Sequence, residues 1–421
     1  MSLALANPNS VKDPLWPERY LGSDRARLIS NTSICQAALE RKIDHFILTE
    51  LFDADRAARL NNGKSLRRQM ARRTLAHTVK ALIGAGKQSG GYETSLASTK
   101  SLFPGMIDLP SIEVGRLQLF DLAPCDMTLP SDFAMVEKLA GYTFCKKGLL
   151  VEALTHASDV ASDRSAAQNA HDCYNRLALL GNAIIETIVS DAVYEVTPEE
   201  DRTAGIMTLH RTALVNRHYL GYLAMSCHVS QTRVMESGYG GLAQRKYNVE
   251  FPLWRFLRYC SQHLDAEMSA VEARFTELRD AIAKSIESAS AYPWQLLAQL
   301  RANDFLADIV ESLVGATFLD SGSMDICKGV LERMGLLPYL RRIVQDKVDV
   351  VHPKDRLQIL AAGRPVRYQV SREPQSATCT VHVGDGIAAK MEGSVDVSEE
   401  EAHIRVALAA IEAFTKPSAS K

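Results

Sequence analysis

The chain has 421 residues, a formal net charge of −2, 46% hydrophobic and 23% charged residues. That length implies two or three domains with sizeable cores. The near-neutral balance excludes a globally basic nucleic-acid binder, so any RNA contact must come from local patches. Eight cysteines without a Cys-x-x-Cys pair argue for a reducing compartment and against a zinc module. No apolar run approaches the roughly 20 residues of a membrane span. The start, Met1 to Asn7, lacks the basic segment of a signal peptide. The expectation is a cytoplasmic or nuclear protein without membrane contact.

Taken in order, Arg25 to Leu48 is rich in Ala, Leu and Ile at helical spacing, and Asn31-Thr-Ser opens a helix there. Arg67, Arg68, Arg72 and Arg73 then lie close together. They are read as a solvated helix face or, alternatively, as an RNA-binding patch that contacts phosphates. Next comes Leu75-Ala-His-Thr-Val-Lys-Ala-Leu-Ile-Gly-Ala85. Six of its eleven positions are identical to Leu306-Ala-Asp-Ile-Val-Glu-Ser-Leu-Val-Gly-Ala316. Leu28-Ile-Ser-Asn31 likewise matches Leu214-Val-Asn-Arg217, and two ordered matches indicate an internal duplication. The first copy has no counterpart of Leu154 to Ile185, so it is expected to lean on the second as an intramolecular pseudo-dimer. Leu102 to Ser131, with four prolines, reads as an extended connector.

The second copy carries short helices over Met135 to Tyr142 and Gly148 to His156, a helix from Tyr174 to Val193, and another from Leu209 to Met225. It exceeds the first by an insertion at about 231–291, with a long helix near Asp265 to Ser288. Phe305 to Gly322 then reads as a buried helix bearing Asp308 and Glu311, three apart on one face. Two carboxylates in an apolar helix are costly unless neutralised or bound to a cation, and a pair one turn apart suits Mg²⁺.

Leu154-Thr-His-Ala-Ser158, the helix from Tyr174 and Asp308-Ile-Val-Glu311 resemble the ribonuclease III family. The resemblance implies a helical fold that cuts double-stranded RNA with Mg²⁺ at a four-carboxylate site. The family's signature helix reads Glu-Arg-Leu-Glu-Phe-Leu-Gly-Asp, and here its acids are replaced by Asn175, Ala178 and Asn182. Asp308 and Glu311 remain as the residual catalytic and metal-binding pair. The Asn182 amide oxygen is a candidate neutral ligand, and Mn²⁺ is an alternative occupant. The competing expectation is a relic pair that holds no metal. In the first copy His77 and Lys80 stand where the second has Asp308 and Glu311, so charge reversal destroys that site. His156 is read as structural, and Trp254 and Trp294 as core or interface anchors.

Leu253–Phe256, Tyr292–Trp294, Ala307–Gly315 and Leu319–Ser323 narrow the resemblance to the C-terminal part of fungal Dicer-like proteins. The tail from Val351 patterns as helix, three strands and helix, similar to a double-stranded-RNA-binding domain. Ser398 and Glu401 make a capping box for the last helix. Where that family presents a lysine pair to phosphate, this chain has Glu399, Glu400 and Glu401, which repel phosphate and favour a structural or protein-contacting role.

The expected fold is mainly α: tandem ribonuclease III-like domains followed by a small α-β-β-β-α domain. The boundaries are 14–100 for an incomplete, degenerate first domain, 101–131 for the connector, 132–345 for the second domain and 351–416 for the last. The expected function is a catalytically impaired, Dicer-related protein acting on double-stranded RNA in silencing or RNA processing, alone or with an active Dicer-like partner. Alternatives are an active metal-dependent endoribonuclease and a structural protein akin to mitochondrial-ribosomal ribonuclease III-like subunits.

Overall fold

In a computed structural model, the described residues are 26–47, 70–103, 110–123, 129–130, 132–162, 173–237, 243–302, 304–374, 376–394 and 397–415. They divide into two compact units, Met1–Leu122 and Ala123–Lys421.

The first unit pairs helix α1, Asn31–Glu40, with α2, Arg72–Leu102. The Ser30 hydroxyl starts α1 by accepting from the Ser33 N–H at 3.2 Å, a side-chain N-cap. Ile34, Cys35 and Ala38 of α1 pack on Leu75, Ala76 and Val79 of α2. α2 kinks at Gly90 and Gly91. Gly91 sits at φ +74° and ψ −163°, a region only glycine occupies without strain. The expectation of an extended connector over 101–131 is corrected: helix α3, Ile112–Leu122, lies within it. Pro110 lies just before the helix and does not interrupt it. Ser111 accepts from the Val114 N–H and Glu93 takes the Ile112 N–H, so two of the first-turn amides are satisfied by side chains.

The second unit contains α4 (Phe133–Ala140), α5 (Lys147–Ala153), α6 (Ala157–Ser162), α7 (Asn175–Val196), α8 (Ala204–Leu214) and α9 (Arg217–Ser226). The single helix expected over Leu209 to Met225 is two. The Asn216 side chain accepts from the Tyr219 N–H at 2.9 Å and caps a new helix at that point. The insertion forms an antiparallel hairpin, β1 (His228–Ser237) and β2 (Ala243–Pro252), and then the long α10 (Gln262–Ser288). These strands were not expected, although Tyr247, Val249 and Phe251 alternate along the sequence of β2. α11 (Trp294–Leu300), α12 (Asp304–Ser321), α13 (Met324–Arg333) and α14 (Leu336–Gln345) complete the helical core. α12 is buried along nearly its whole length between α7 and α9.

α7 is long and apolar enough to cross a membrane by length and composition, contrary to the expectation that no run approaches that length. Of its most apolar window, 56% is buried inside this unit, as suits a core helix. The tail forms α15 (Pro353–Leu360), strands β3 (Val366–Arg372), β4 (Ala377–Val383) and β5 (Gly386–Gly393) in an antiparallel sheet of that order, and α16 (Glu399–Thr415). Leu357, Val381, Val406 and Ala407 lie at the centre of its core.

Candidate active site

The site is built where α7 crosses α12. A Cβ on Gly181 would lie 1.7 Å from the Glu311 carbonyl oxygen, and one on Gly315 would lie 2.1 Å from the Leu177 carbonyl. Only glycine at both positions lets the two backbones touch. That contact brings the residue after Gly181 against α12: Asn182 Nδ2 donates to Glu311 Oε1 at 3.0 Å. Glu311 is 9% exposed, and Asp308, one turn before it, is half-buried. Asn175 is exposed, whereas Ala178, one turn before Asn182, is buried and brings only a methyl group to the crossing.

This donor set does not fit a four-carboxylate metal centre. Among the described residues no group of three or more His, Cys, Asp or Glu side chains is placed to hold an ion. An amide donating its N–H to Glu311 occupies a carboxylate lone pair that a cation would otherwise use. One observation points the other way: Asn182 Oδ1 is buried without a hydrogen-bond partner. A buried acceptor left unpaired is costly and invites a water or a cation.

The flanking residues hold the crossing in place. Arg176 on α7 donates from Nε and Nη2 to Glu152 Oε1 and Oε2 of α5 at 2.5 and 2.8 Å, a bidentate pair with the carboxylate side chain 2% exposed. Ser312 Oγ, fully buried on α12, donates to the Ala153 carbonyl at 2.7 Å. The Leu154-Thr-His element is bound to the insertion. The Arg258 N–H donates to the Leu154 carbonyl at 2.7 Å and the His156 N–H to the Arg258 carbonyl at 2.8 Å. His156 Nδ1 meets the Ser158 hydroxyl and N–H, and burial lowers its pKa. Both contacts are local to the Leu154-Thr-His-Ala-Ser158 turn.

Comparison with known proteins matches a ribonuclease III domain to residues 175–322. The chain is 33% identical to Dicer-like protein 2 of Cryphonectria parasitica over 94% of its own length and 29% of that protein's. The corresponding figures are 34%, 95% and 29% for Dicer-like protein 2 of Aspergillus terreus, and 33%, 83% and 24% for that of Neurospora crassa. This chain carries a ribonuclease III domain. It spans less than a third of the length of these Dicer-like relatives.

Away from the ribonuclease III match, the first copy places His77 and Lys80 on the exposed side of α2. Lys80 Nζ donates to Asn31 Oδ1 at 3.0 Å and ties α2 to α1. Arg72 and Arg73 are exposed in the first turn of α2, while Arg67 and Arg68 lie outside the described residues. Trp294 is an anchor as expected: its Nε1 donates to the Val350 carbonyl at 3.2 Å and its ring meets His352 edge-on at 4.7 Å.

The residues that sequence reasoning missed are cationic partners for α16. Arg217 and His218 reach Glu400 at 3.3 and 2.9 Å, and Arg301 reaches Glu401 at 3.0 Å. The hydrogen bond from His218, aided by Arg217, holds the Glu400 pKa down to about 2. Only half of the expected capping box forms. Ser398 accepts from the Glu401 N–H, but the Glu401 carboxylate turns to Arg301 and Arg405. The reversed charge at Glu399 to Glu401 was the available signal. Its partners lie far away in sequence and carried none.

Proposed function

We propose that this chain is a Dicer-related, double-stranded-RNA-binding protein of silencing or RNA processing whose cleavage chemistry is impaired. The observation that carries the reading is the Asn182 to Glu311 hydrogen bond beside the buried Ala178. In-line hydrolysis of a phosphodiester by metal ions needs carboxylates to hold the ions against phosphate and water. Here an amide and a methyl group stand where two of those charges belong. The ribonuclease III domain and the identity to Dicer-like relatives support duplex RNA as the ligand. Arg72 and Arg73 are the candidate phosphate contacts on the first unit.

The test is cleavage and binding of labelled duplex RNA by purified protein, with Mg²⁺ and then Mn²⁺. The expected result is a shifted but uncut duplex. Changing Ala178→Glu together with Asn182→Asp should restore Mg²⁺-dependent cutting if the remaining machinery is intact. Defined products from the unaltered protein that vanish in Asp308→Asn would overturn the proposal. They would favour a second reading, motivated by the unpaired Asn182 Oδ1: one weakly held Mn²⁺ or Mg²⁺ on Asp308, Glu311 and Asn182. Neither shift nor products would also count against it, and would turn attention to protein partners.

A further inference from the structure

The last helix of the tail domain begins with three glutamates, and two of them are spent on protein. Glu401 is almost fully buried, its side chain 6% exposed, with Arg301 at 3.0 Å and Arg405 at 3.8 Å. Arg274 of α10 lies near enough to feel both Arg301 and Glu401. Removing that carboxylate would leave Arg274, Arg301 and Arg405 repelling one another in a half-buried space. Glu400 takes Arg217 and His218 at the start of α9, and Arg217 also pairs with Asp304 at 3.1 Å where α12 begins.

Two further contacts fasten the same face. The Tyr292 N–H donates to the Asp349 carbonyl at 2.9 Å, and the Asp349 N–H to the Ser290 carbonyl at 2.8 Å, a short parallel bridge at the root of the tail domain. Trp294 adds its indole hydrogen bond to Val350 and its ring contact with His352, which caps α15.

We infer that the acidic start of α16 is a docking plug: it fixes the tail domain to the ribonuclease III domain of the same chain and withdraws that end of the helix from nucleic acid. A helix N-terminus ordinarily attracts phosphate through its free N–H groups and its dipole. Here the side chains at that terminus repel phosphate, and Arg217, His218 and Arg301 already occupy two of them. The occupant is protein because the counter-charges come from α9 and the end of α11, not from solvent. The α-β-β-β-α domain is therefore a fixed wing of the nuclease fold rather than a tethered arm that seeks duplex. The inference does not depend on whether the chain cuts RNA.

Hydrogen exchange on the full chain, without RNA, tests it. The unaltered protein should show strong protection in the segment from Asp346 to Lys354. Glu400→Arg combined with Glu401→Gln should speed exchange there by roughly tenfold or more, while β3 to β5 stay protected, which shows that the tail domain remains folded. The conservative change Glu401→Asp, which keeps a carboxylate for Arg301, should leave exchange in this segment within about threefold of the unaltered protein. Exchange in the segment that is rapid in the unaltered protein, or indifferent to the glutamate changes, would overturn the inference. In a second arm, excess duplex RNA at low salt should leave this protection unchanged. Loss of protection on adding RNA would mean that RNA displaces the plug, and would also overturn it. A gel shift on the same samples reports RNA binding separately, so failure of docking and failure of the RNA-binding proposal are distinguishable.

Discussion

The two sequence-matched helix pairs, α1 with α2 and α9 with α12, share a core pattern and differ at the chemistry. Ile34, Cys35 and Ala38 of α1 correspond to Leu220, Gly221 and Ala224 of α9, and Leu75, Ala76 and Val79 of α2 to Leu306, Ala307 and Val310 of α12. All are buried. The residues between them have diverged: His77 and Lys80 are exposed, where Asp308 is half-buried and Glu311 is buried beneath α7. The glycines sharpen the contrast. Gly315 is pressed against the Leu177 carbonyl, whereas its counterpart Gly84 would meet nothing within 4 Å of an added Cβ. Packing between a helix pair tolerates drift in whatever that pair does not bury, so the core kept its pattern while the carboxylate positions did not.

The largest expected effect tests this directly. Gly315→Ala should destabilise the second unit by about 3 kcal/mol or more, because its methyl group would strike backbone. Gly84→Ala should stabilise the first unit by about 0.5–1 kcal/mol through helix propensity. Thermal or denaturant melts of the two variants read both, and equal effects would break the comparison. At the next residue pair, Glu311→Ala should cost about 1–3 kcal/mol by leaving the Asn182 amide with neither polar atom paired. Lys80→Ala should fall within about 0.5 kcal/mol, since its bond to Asn31 is exposed.

A further small effect is a pH dependence in the tail domain. Glu400 titrates near 2 in the folded chain against 4.5 for the free group. Its contribution is therefore complete above about pH 4.5 and is lost as pH falls towards 2. With the Glu400 side chain 39% exposed, solvent screening keeps this below about 1 kcal/mol. Melts of Glu400→Gln should differ from those of the unaltered protein above pH 4.5 and converge with them towards pH 2. A constant difference across that range would remove the charge from the explanation.

Local chemistry decided much of what could be read beforehand. Helical spacing from Phe305 to Gly322 marked the central helix, and alternation from Val366 to Met391 marked the small sheet, because each pattern repeats within a few residues. The replacement of acids by Asn175, Ala178 and Asn182 was equally visible, since it needs only the motif. The helix Ile112–Leu122 was hidden because its N-terminal amides are satisfied by Ser111 and, across 19 residues, by Glu93. The same limit applied to larger separations. That Asn182 donates to Glu311, 129 residues away, and that Glu400 finds His218, 182 residues away, follows from which helices cross and how closely. Those pairings depend on a backbone contact at Gly181 and Gly315 and on the seat of the tail domain. Sequence alone determined the elements and the lost charges; tertiary packing decided what each remaining carboxylate touches, because long-range partners are chosen by geometry that no local pattern encodes.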